Sequence, residues 1–146
     1  KVTPYLEETM ELVKEFGMEA QIQFSGTRKI EEIPVEIDRF DIGVIPNRVN
    51  RFTQINTPTR IFEYLSRGKP AIAPRSEGVT DYFPEDALFY FELGSERSLA
   101  DALIRVNSDR VGLEAVAERG VRVYENNRWS RKRNDWIASV AQLASR

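Results

Sequence analysis

A segment in the middle of the chain carries the residue types best suited to bind a charged ligand. It runs from Thr57 to Pro70 and reads TPTRIFEYLSRGKP. Thr57 is predicted to cap a helix and Pro58 to occupy its first position, which leaves the next backbone N–H groups pointing out of the helix start. Such a start favours an anion like phosphate, and the guanidinium of Arg60 adds a full positive charge. Glu63 follows on the same side of the helix, where its carboxylate is placed to accept hydrogen bonds from the two hydroxyls of a ribose.

The same two charged residues have a simpler interpretation. Arg60 and Glu63 are spaced to form an ion pair on an ordinary surface helix. Such a pair stabilises a helix by only about 0.2–0.5 kcal/mol and requires no ligand. Spacing alone leaves both interpretations open.

Composition removes several classes of chemistry. The chain has 146 residues with no cysteine and no histidine, which excludes disulfides, thiolate or imidazole metal sites, and catalysis by either residue. A domain of this size has one hydrophobic core, so a two-domain enzyme is not expected. The formal net charge of −2 predicts no nucleic-acid partner. No apolar run is long enough to cross a bilayer and no signal-like segment opens the chain, so we expect a cytoplasmic protein.

Short apolar runs alternate with amphipathic helices along the chain. Four runs are predicted to be strands, the first from its period-two alternation and the others from their buried character: 20–25, 41–46, 71–73 and 88–91. Helical periodicity predicts helices, the second of them as a helix or broken turn, at 3–17, 30–40, 57–67, 98–106, 110–124 and 130–143. The polar stretch at 47–56 is predicted to be a loop. The alternation is typical of a Rossmann-like, doubly wound parallel α/β sheet, in which ligands bind beyond the carboxyl ends of the strands.

The segment TPTRIFEYLSRGKPAIA, from Thr57 onward, resembles the donor-binding segment of family-4 glycosyltransferases of the GT-B fold. QIQFSG resembles that family's strand ending in Phe-any-Gly, FDIGVIP its Asp-led strand, and SEGVTDYF its glycine loop. NRWS resembles the aromatic-Ser segment before the last helix. The resemblance covers nearly the whole chain. It implies the C-terminal half of a GT-B fold without its opening strands: residues 1–146 as a partial nucleotide-sugar-binding domain that ends in helices at 110–145.

The resemblance also assigns roles to individual residues. Glu63 matches the glutamate that holds the nucleotide ribose, whereas Thr59 and Arg60 match the helix-start positions that hold the diphosphate, where Arg60 would stabilise the leaving group. A second set matches the turn against the base and the glycine loop near the phosphates: Gly26, Thr27, Arg28 and Gly78. The implied reaction transfers a sugar from a nucleotide sugar to a glycan, lipid-linked or small-molecule acceptor with retention of configuration. It uses no metal or other cofactor.

Two departures from the family pattern limit what it implies. The commoner motif has a first glutamate, which usually contacts the transferred sugar, where this chain has Ile55. Sugar recognition must therefore differ, and the loop at 47–56 is the candidate for it. The chain also lacks the family's N-terminal domain and a second basic phosphate ligand. We therefore expect the missing N-terminal domain as a partner and no activity from the fragment alone.

Other functions fit parts of the pattern. A nucleotide-sugar 2-epimerase shares the fold but would need acidic and histidine groups from the absent half. A structural or interaction domain with a degenerate donor site is favoured by Ile55. A flavodoxin-like phosphoreceiver is disfavoured because Asp41 stands at the start of its predicted strand rather than at its end.

Three groups of residues in the second half of the chain have interpretations that require no ligand. Strand and core packing explains the aromatic residues Phe83, Phe89, Tyr90 and Phe91. A second group is a basic cluster, which a solvated face explains: Arg128, Arg131, Lys132 and Arg133. The alternative for this cluster is contact with a membrane-associated, lipid-linked acceptor. The last helix is predicted to pack onto the sheet, or onto the missing domain, through Trp129 and Trp136.

Overall fold

The structure is a computed structural model that describes residues 3–144, with the backbone alone at position 110. The chain divides into two compact units, Lys1–Ile33 and Pro34–Arg146. Residue 145, where the predicted C-terminal helical region ends, lies outside the described residues. One domain over 1–146 stays a prediction.

The first unit begins with helix α1, Pro4–Glu15. Its start is capped as predicted, because the Thr3 side-chain oxygen accepts a hydrogen bond from the N–H of Leu6 at 3.3 Å. The chain leaves the helix at Gly17, whose φ of 64° is a conformation that glycine adopts without strain.

The predicted strand at 20–25 is wrong. Residues 19–21 form a turn, and 22–29 have no regular secondary structure. Period-two alternation indicates an extended backbone, but a strand also needs a partner strand to share its backbone hydrogen bonds. The sequence pattern carries no information about that partner.

The second unit is an α/β fold that contains the three predicted buried strands. They are β1 (Gly43–Val44), β2 (Ala71–Arg75) and β3 (Phe89–Glu92). A 3₁₀ turn at Ile30–Glu32 precedes the helices of this region, the first of which starts at the boundary between the units. These helices are α2 (Ile33–Asp38), α3 (Arg51–Ile55), α4 (Thr59–Ser66), α5 (Glu77–Thr80), α6 (Glu96–Ser108), α7 (Arg110–Asn127) and α8 (Trp129–Ala144).

The three strands form a parallel sheet in the order β1-β2-β3. Gly43 lies opposite Ala71, and Ile72 lies opposite Phe89. Parallel neighbours require crossover connections, which the helices between successive strands provide. The prediction of a parallel α/β sheet is confirmed, with three strands in place of four.

Helices cover both faces of this sheet. Ala71 and Ala73 belong to a core cluster with side chains of α4, whereas Ile72, which points to the opposite face of β2, belongs to a second cluster with side chains of α6. Strand and core packing of the predicted aromatic group is confirmed: Phe83, Tyr90 and Phe91 are buried, and the half-buried Phe89 packs against the second cluster. A parallel sheet with helices packed on both faces is the property of a doubly wound fold, as predicted.

The stretch at 47–56 is not simply a loop, since it contains the short helix α3. Asn50 caps this helix by accepting a hydrogen bond from the Thr53 N–H at 2.9 Å. The Thr53 hydroxyl in turn accepts one from the Asn50 N–H at 3.0 Å. This reciprocal capping stabilises one helical turn in a stretch too polar to show helical periodicity.

The last helix, α8, is exposed along its described length. Trp129 and Trp136 are 60% and 57% exposed and contact each other, with ring centroids 5.8 Å apart. The prediction that they pack onto the sheet is therefore wrong, and packing onto a missing domain stays a prediction. None of the described helices has the length and apolar character required to cross a bilayer.

Candidate functional site

The candidate site lies at the carboxyl edge of the sheet. Because the strands are parallel, the segments that follow β1 and β2 leave the sheet at the same edge. The first segment leads through α3 to the start of α4, and the second leads directly into α5. This edge therefore brings the start of α4 and the predicted glycine loop into one region.

The start of α4 is left open by its capping residue. Pro58, rather than Thr57 as predicted, is the N-cap, and no side chain in the described part of the chain caps the helix. The Thr57 hydroxyl instead donates a hydrogen bond to the carbonyl oxygen of Gly78 at 2.5 Å. The first backbone N–H groups of the helix, including those of Thr59 and Arg60, are thus left for water or a ligand.

Arg60 and Glu63 are both exposed on α4. Among the side chains that the structure describes, neither of these forms an ion pair or a hydrogen bond, so the Arg60–Glu63 pair of the simpler interpretation is not present. Burial raises the pKa of the neighbouring Tyr64, and the positive charge of Arg60 partly opposes that rise. One positive and one negative charge on α4 are therefore available to a ligand.

Tyr64 holds α4 against the sheet. A methyl group added at Gly43 of β1 would lie 2.0 Å from Cδ2 of the Tyr64 ring. The ring thus occupies the space that any larger residue at position 43 would need. Glycine in β1 sets the depth at which α4, with Arg60 and Glu63, packs on the sheet.

Gly78 is buried in α5, where the predicted glycine loop is a short helix. A Cβ at this position would lie 2.3 Å from the carbonyl oxygen of Ile55 and 2.5 Å from the carbonyl carbon of Asn56. The backbone at the end of α3 therefore packs directly on α5. Glycine is required here for close packing, and its matching role near the phosphates stays a prediction.

Two buried polar atoms at this edge have no hydrogen-bond partner in the described part of the chain. They are Oγ of Ser76, a residue only 7% exposed, and Oδ1 of Asn56. Asn56 directly precedes Thr57, and Ser76 is the N-cap of α5, the helix that contains Gly78. A buried polar atom costs free energy unless it has a hydrogen-bond partner, so both atoms are suited to bind water or a ligand group.

Gly26, Thr27 and Arg28 lie in the first unit, in its segment without regular structure. Gly26 has a φ of 67°, which is consistent with a turn that requires glycine. All three residues are exposed. Their predicted contact with the base of a nucleotide stays a prediction.

A cleft of about 880 Å³ beside the start of α4 was not predicted from the sequence. It extends from the first turn of α4 across the end of α5 to the junction between α7 and α8. Four aromatic residues and six polar ones line it: Thr57, Thr59, Phe62, Tyr82, Tyr124, Asn127, Arg128, Trp129, Ser130 and Lys132. The helical spacing of Thr59 and Phe62, which places them on one face of α4, was the available sequence signal.

The basic cluster at the start of α8 is exposed, as its interpretation as a solvated face predicts. Arg128 donates hydrogen bonds to both carboxylate oxygens of Glu125, at 2.8 and 3.0 Å, which raises the pKa of its guanidinium. Arg131 bonds to the side chain of Asn126. Among the described residues, no three acidic side chains group in the manner of a metal site, and a reaction without metal stays a prediction.

Comparisons with known proteins agree with this architecture. A family described as glycosyl transferase-like matches residues 10–138. The chain resembles sucrose-phosphate synthase from Thermosynechococcus elongatus, with a TM-score of 0.82, 19% identity, and coverage of 97% of this chain and 35% of that one. It also resembles HepE from Anabaena, solved in complex with UDP, with a TM-score of 0.78, 19% identity and coverage of 94% and 36%.

A third similar structure is the C-terminal domain of LpcC, a glycosyl transferase group 1 family protein from Francisella tularensis. Its TM-score is 0.70 at 21% identity, with coverage of 86% of this chain and 65% of that one. At these identities the similarity establishes the fold. The chain spans about a third of the length of the first two structures. No curated protein sequence matches it.

Proposed function

Because the chain belongs to the glycosyl transferase-like family, we propose that it is the donor-binding part of an enzyme that transfers a sugar from a nucleoside diphosphate sugar. The fold it shares with HepE, a protein solved with UDP and with UDP-glucose, supports this class of donor. The residues of the α4 segment carry the proposal further, to the parts of the donor that each would bind.

The diphosphate binds at the start of α4. The backbone N–H groups of Thr59 and Arg60 have no side-chain cap, and the helix dipole adds a partial positive charge. The Arg60 guanidinium has no carboxylate partner in the described structure, so its full charge is available to phosphate oxygens. As the bond to the sugar breaks, negative charge grows on the diphosphate, and Arg60 stabilises that charge.

The ribose binds one turn further along α4, at Glu63. Glu63 follows Thr59 by four positions, which correspond to about 6 Å along the helix axis, so a nucleotide lying along α4 reaches both. The Glu63 carboxylate accepts hydrogen bonds from the two ribose hydroxyls. The observation that carries the proposal is this pairing of an uncapped helix start with an unpartnered carboxylate one turn away.

Several further properties belong to the same proposal. Transfer proceeds with retention of configuration and without a metal, to a glycan, lipid-linked or small-molecule acceptor in polysaccharide biosynthesis. An N-terminal domain completes the acceptor side. The reaction takes place in the cytoplasm, at the membrane surface if the acceptor is lipid-linked.

Calorimetric titration of the full-length protein with UDP, GDP and ADP tests the proposal. At least one nucleotide is expected to bind, and both Glu63→Gln and Arg60→Ala are expected to weaken its binding by about 10- to 100-fold, the range for hydrogen bonds to charged groups. Glu114→Gln and Arg97→Ala, on the exposed surfaces of α7 and α6, are the matched controls. Nucleotide binding unaffected by Glu63→Gln would refute the site and favour a structural domain.

A further inference from the structure

The cleft beside α4 combines aromatic walls with small polar groups. The rings of Phe62 and Tyr82 meet edge to face, with centroids 5.8 Å apart, and form one wall. The ring of Tyr124 also lines the cleft, with the guanidinium carbon of Arg128 5.9 Å from its centroid. Tyr82 is half exposed, so a ligand can reach its ring.

The polar groups of the cleft are available for hydrogen bonds. Within the described residues, the side chains of Thr59, Ser130 and Lys132 make no hydrogen bond or ion pair. Among the described residues, no acidic side chain lines the cleft, so a cationic ligand finds no counter-charge from them. Two hydroxyls and an ammonium group beside aromatic rings suit a ligand that has C–H bonds on its faces and hydroxyls around its edge.

A pyranose ring has this distribution of groups. Its faces carry C–H bonds that pack on aromatic rings, while its hydroxyls project around the rim toward polar side chains. The cleft volume of about 880 Å³ lies within the roughly 300–1,000 Å³ typical of small-molecule sites. The volume of the cleft admits a sugar, and its lining fits one.

The location of the cleft connects it to the donor. Thr57 and Thr59 line the cleft and also form the start of α4, where the proposed function places the diphosphate. A sugar attached to that diphosphate, or an acceptor sugar about to receive it, must lie next to these phosphates. We propose that the cleft binds a pyranose ring beside the donor diphosphate, with Lys132, Ser130 and Thr59 bonding to its hydroxyls and Tyr82 packing on its face.

This inference rests on the proposed function and leaves two sources for the ring, the transferred sugar or the acceptor. Lys132→Met removes a hydrogen-bond donor from the cleft, and Tyr82→Leu removes an aromatic ring from it. Arg133→Met is the matched control, because Arg133 is the next basic residue of α8 and does not line the cleft. Each contact contributes the equivalent of about a fivefold change in affinity.

Two binding experiments on the full-length protein separate the sources. Calorimetry compares UDP, GDP and ADP with their hexose derivatives. If the cleft holds the transferred sugar, Lys132→Met and Tyr82→Leu weaken the nucleotide sugar about fivefold and leave the free nucleotide unchanged. If it holds the acceptor, the donor constants stay unchanged. In that case, saturation-transfer NMR of methyl glucosides, mannosides and galactosides with the nucleotide-loaded protein shows a signal that both variants reduce.

Other outcomes overturn the inference. Nucleotide-sugar constants and glycoside signals that stay within twofold of wild type in both variants mean that no sugar occupies the cleft. If the cleft variants weaken the nucleotide and the nucleotide sugar equally, the cleft contacts the nucleotide rather than a sugar. If Arg133→Met has the same effect as Lys132→Met, the loss of affinity comes from the change in overall charge. Wild-type protein that binds no nucleotide refutes the proposed function and this inference with it. If Glu63→Gln weakens nucleotide binding but the Lys132 and Tyr82 variants change nothing, only this inference is refuted and the proposed function stands.

Discussion

Replacing Gly78 by alanine places a methyl group into the backbone of the neighbouring segment. The new Cβ would lie 2.3 Å from the Ile55 carbonyl oxygen and 2.5 Å from the Asn56 carbonyl carbon. An ordinary nonbonded separation is about 3.5 Å, so the end of α3 and α5 must separate by about 1 Å. Both contacts are backbone atoms, and no side-chain rotation relieves them. We expect a loss of about 1–3 kcal/mol in the free energy of unfolding, as for overpacked cores.

The same displacement should weaken the donor site. The Thr57 hydroxyl bonds to the Gly78 carbonyl oxygen, so movement of α5 disturbs the residue that precedes the start of α4. Misplacement by about 1 Å can cost an active site about a hundredfold in rate, and we expect the affinity for the nucleotide to fall as well. Urea unfolding of the full-length protein measures the stability, and calorimetry measures the affinity for the nucleotide.

Val106→Ala provides the matched control. Val106 is buried on α6, in the core cluster on the face of the sheet opposite α4, so its truncation costs stability without touching the contact between α3 and α5. This variant should lose stability but keep its nucleotide affinity when folded. If Gly78→Ala keeps its nucleotide affinity at the wild-type value, the close packing of α5 on α3 is not a determinant of the site, and an unchanged unfolding free energy would contradict the close packing itself.

The remaining predictions concern the packing and the charges around α4. Gly43→Ala drives a methyl group into the Tyr64 ring, so urea unfolding should show a loss of about 1–3 kcal/mol, and a stability equal to wild type would contradict the packing. Arg67 holds the pKa of Asp38 below its ordinary value, chiefly through a hydrogen bond from its side chain, here 2.8 Å from Nε to Oδ1. Because that pKa is lowered on folding, the pair stabilises the fold above the unfolded pKa of about 3.9 and ceases to do so as the pH falls through the lowered value. Arg67→Gln should therefore raise the pKa of Asp38 in an NMR titration and destabilise the protein at pH 7 but not at low pH, whereas an unchanged pKa would contradict the pairing.

Much of the fold follows from local patterns in the sequence. The apolar runs at 71–73 and 88–91 became strands because they are short, bounded by Pro or turn residues, and buried on both faces. The helix ends at Gly17 and Gly68 follow from the positive φ that glycine tolerates. The strand predicted at 20–25 was wrong because the alternation of its residues is a local pattern, whereas pairing with another strand depends on residues elsewhere in the chain.

The sequence predicted which residues belong to the candidate site but not how their side chains are arranged. Arg60 and Glu63 were identified from their types and spacing, but their lack of an ion pair depends on side-chain geometry that spacing does not determine. Thr57 is a suitable cap by type, yet its hydroxyl bonds to Gly78, a residue 21 positions along the chain. Tertiary contacts of this kind compete with local capping, and they also create the cleft, whose lining comes from three separate stretches of sequence.

A crystal structure of the full-length protein with its nucleoside diphosphate tests the central claim most directly. We predict phosphate oxygens within hydrogen-bond distance of the backbone N–H groups of Thr59 and Arg60 and of the Arg60 guanidinium. The ribose hydroxyls should lie on the carboxylate of Glu63. A nucleotide bound elsewhere, with the start of α4 in contact only with water, would contradict the assignment of α4 as the donor site.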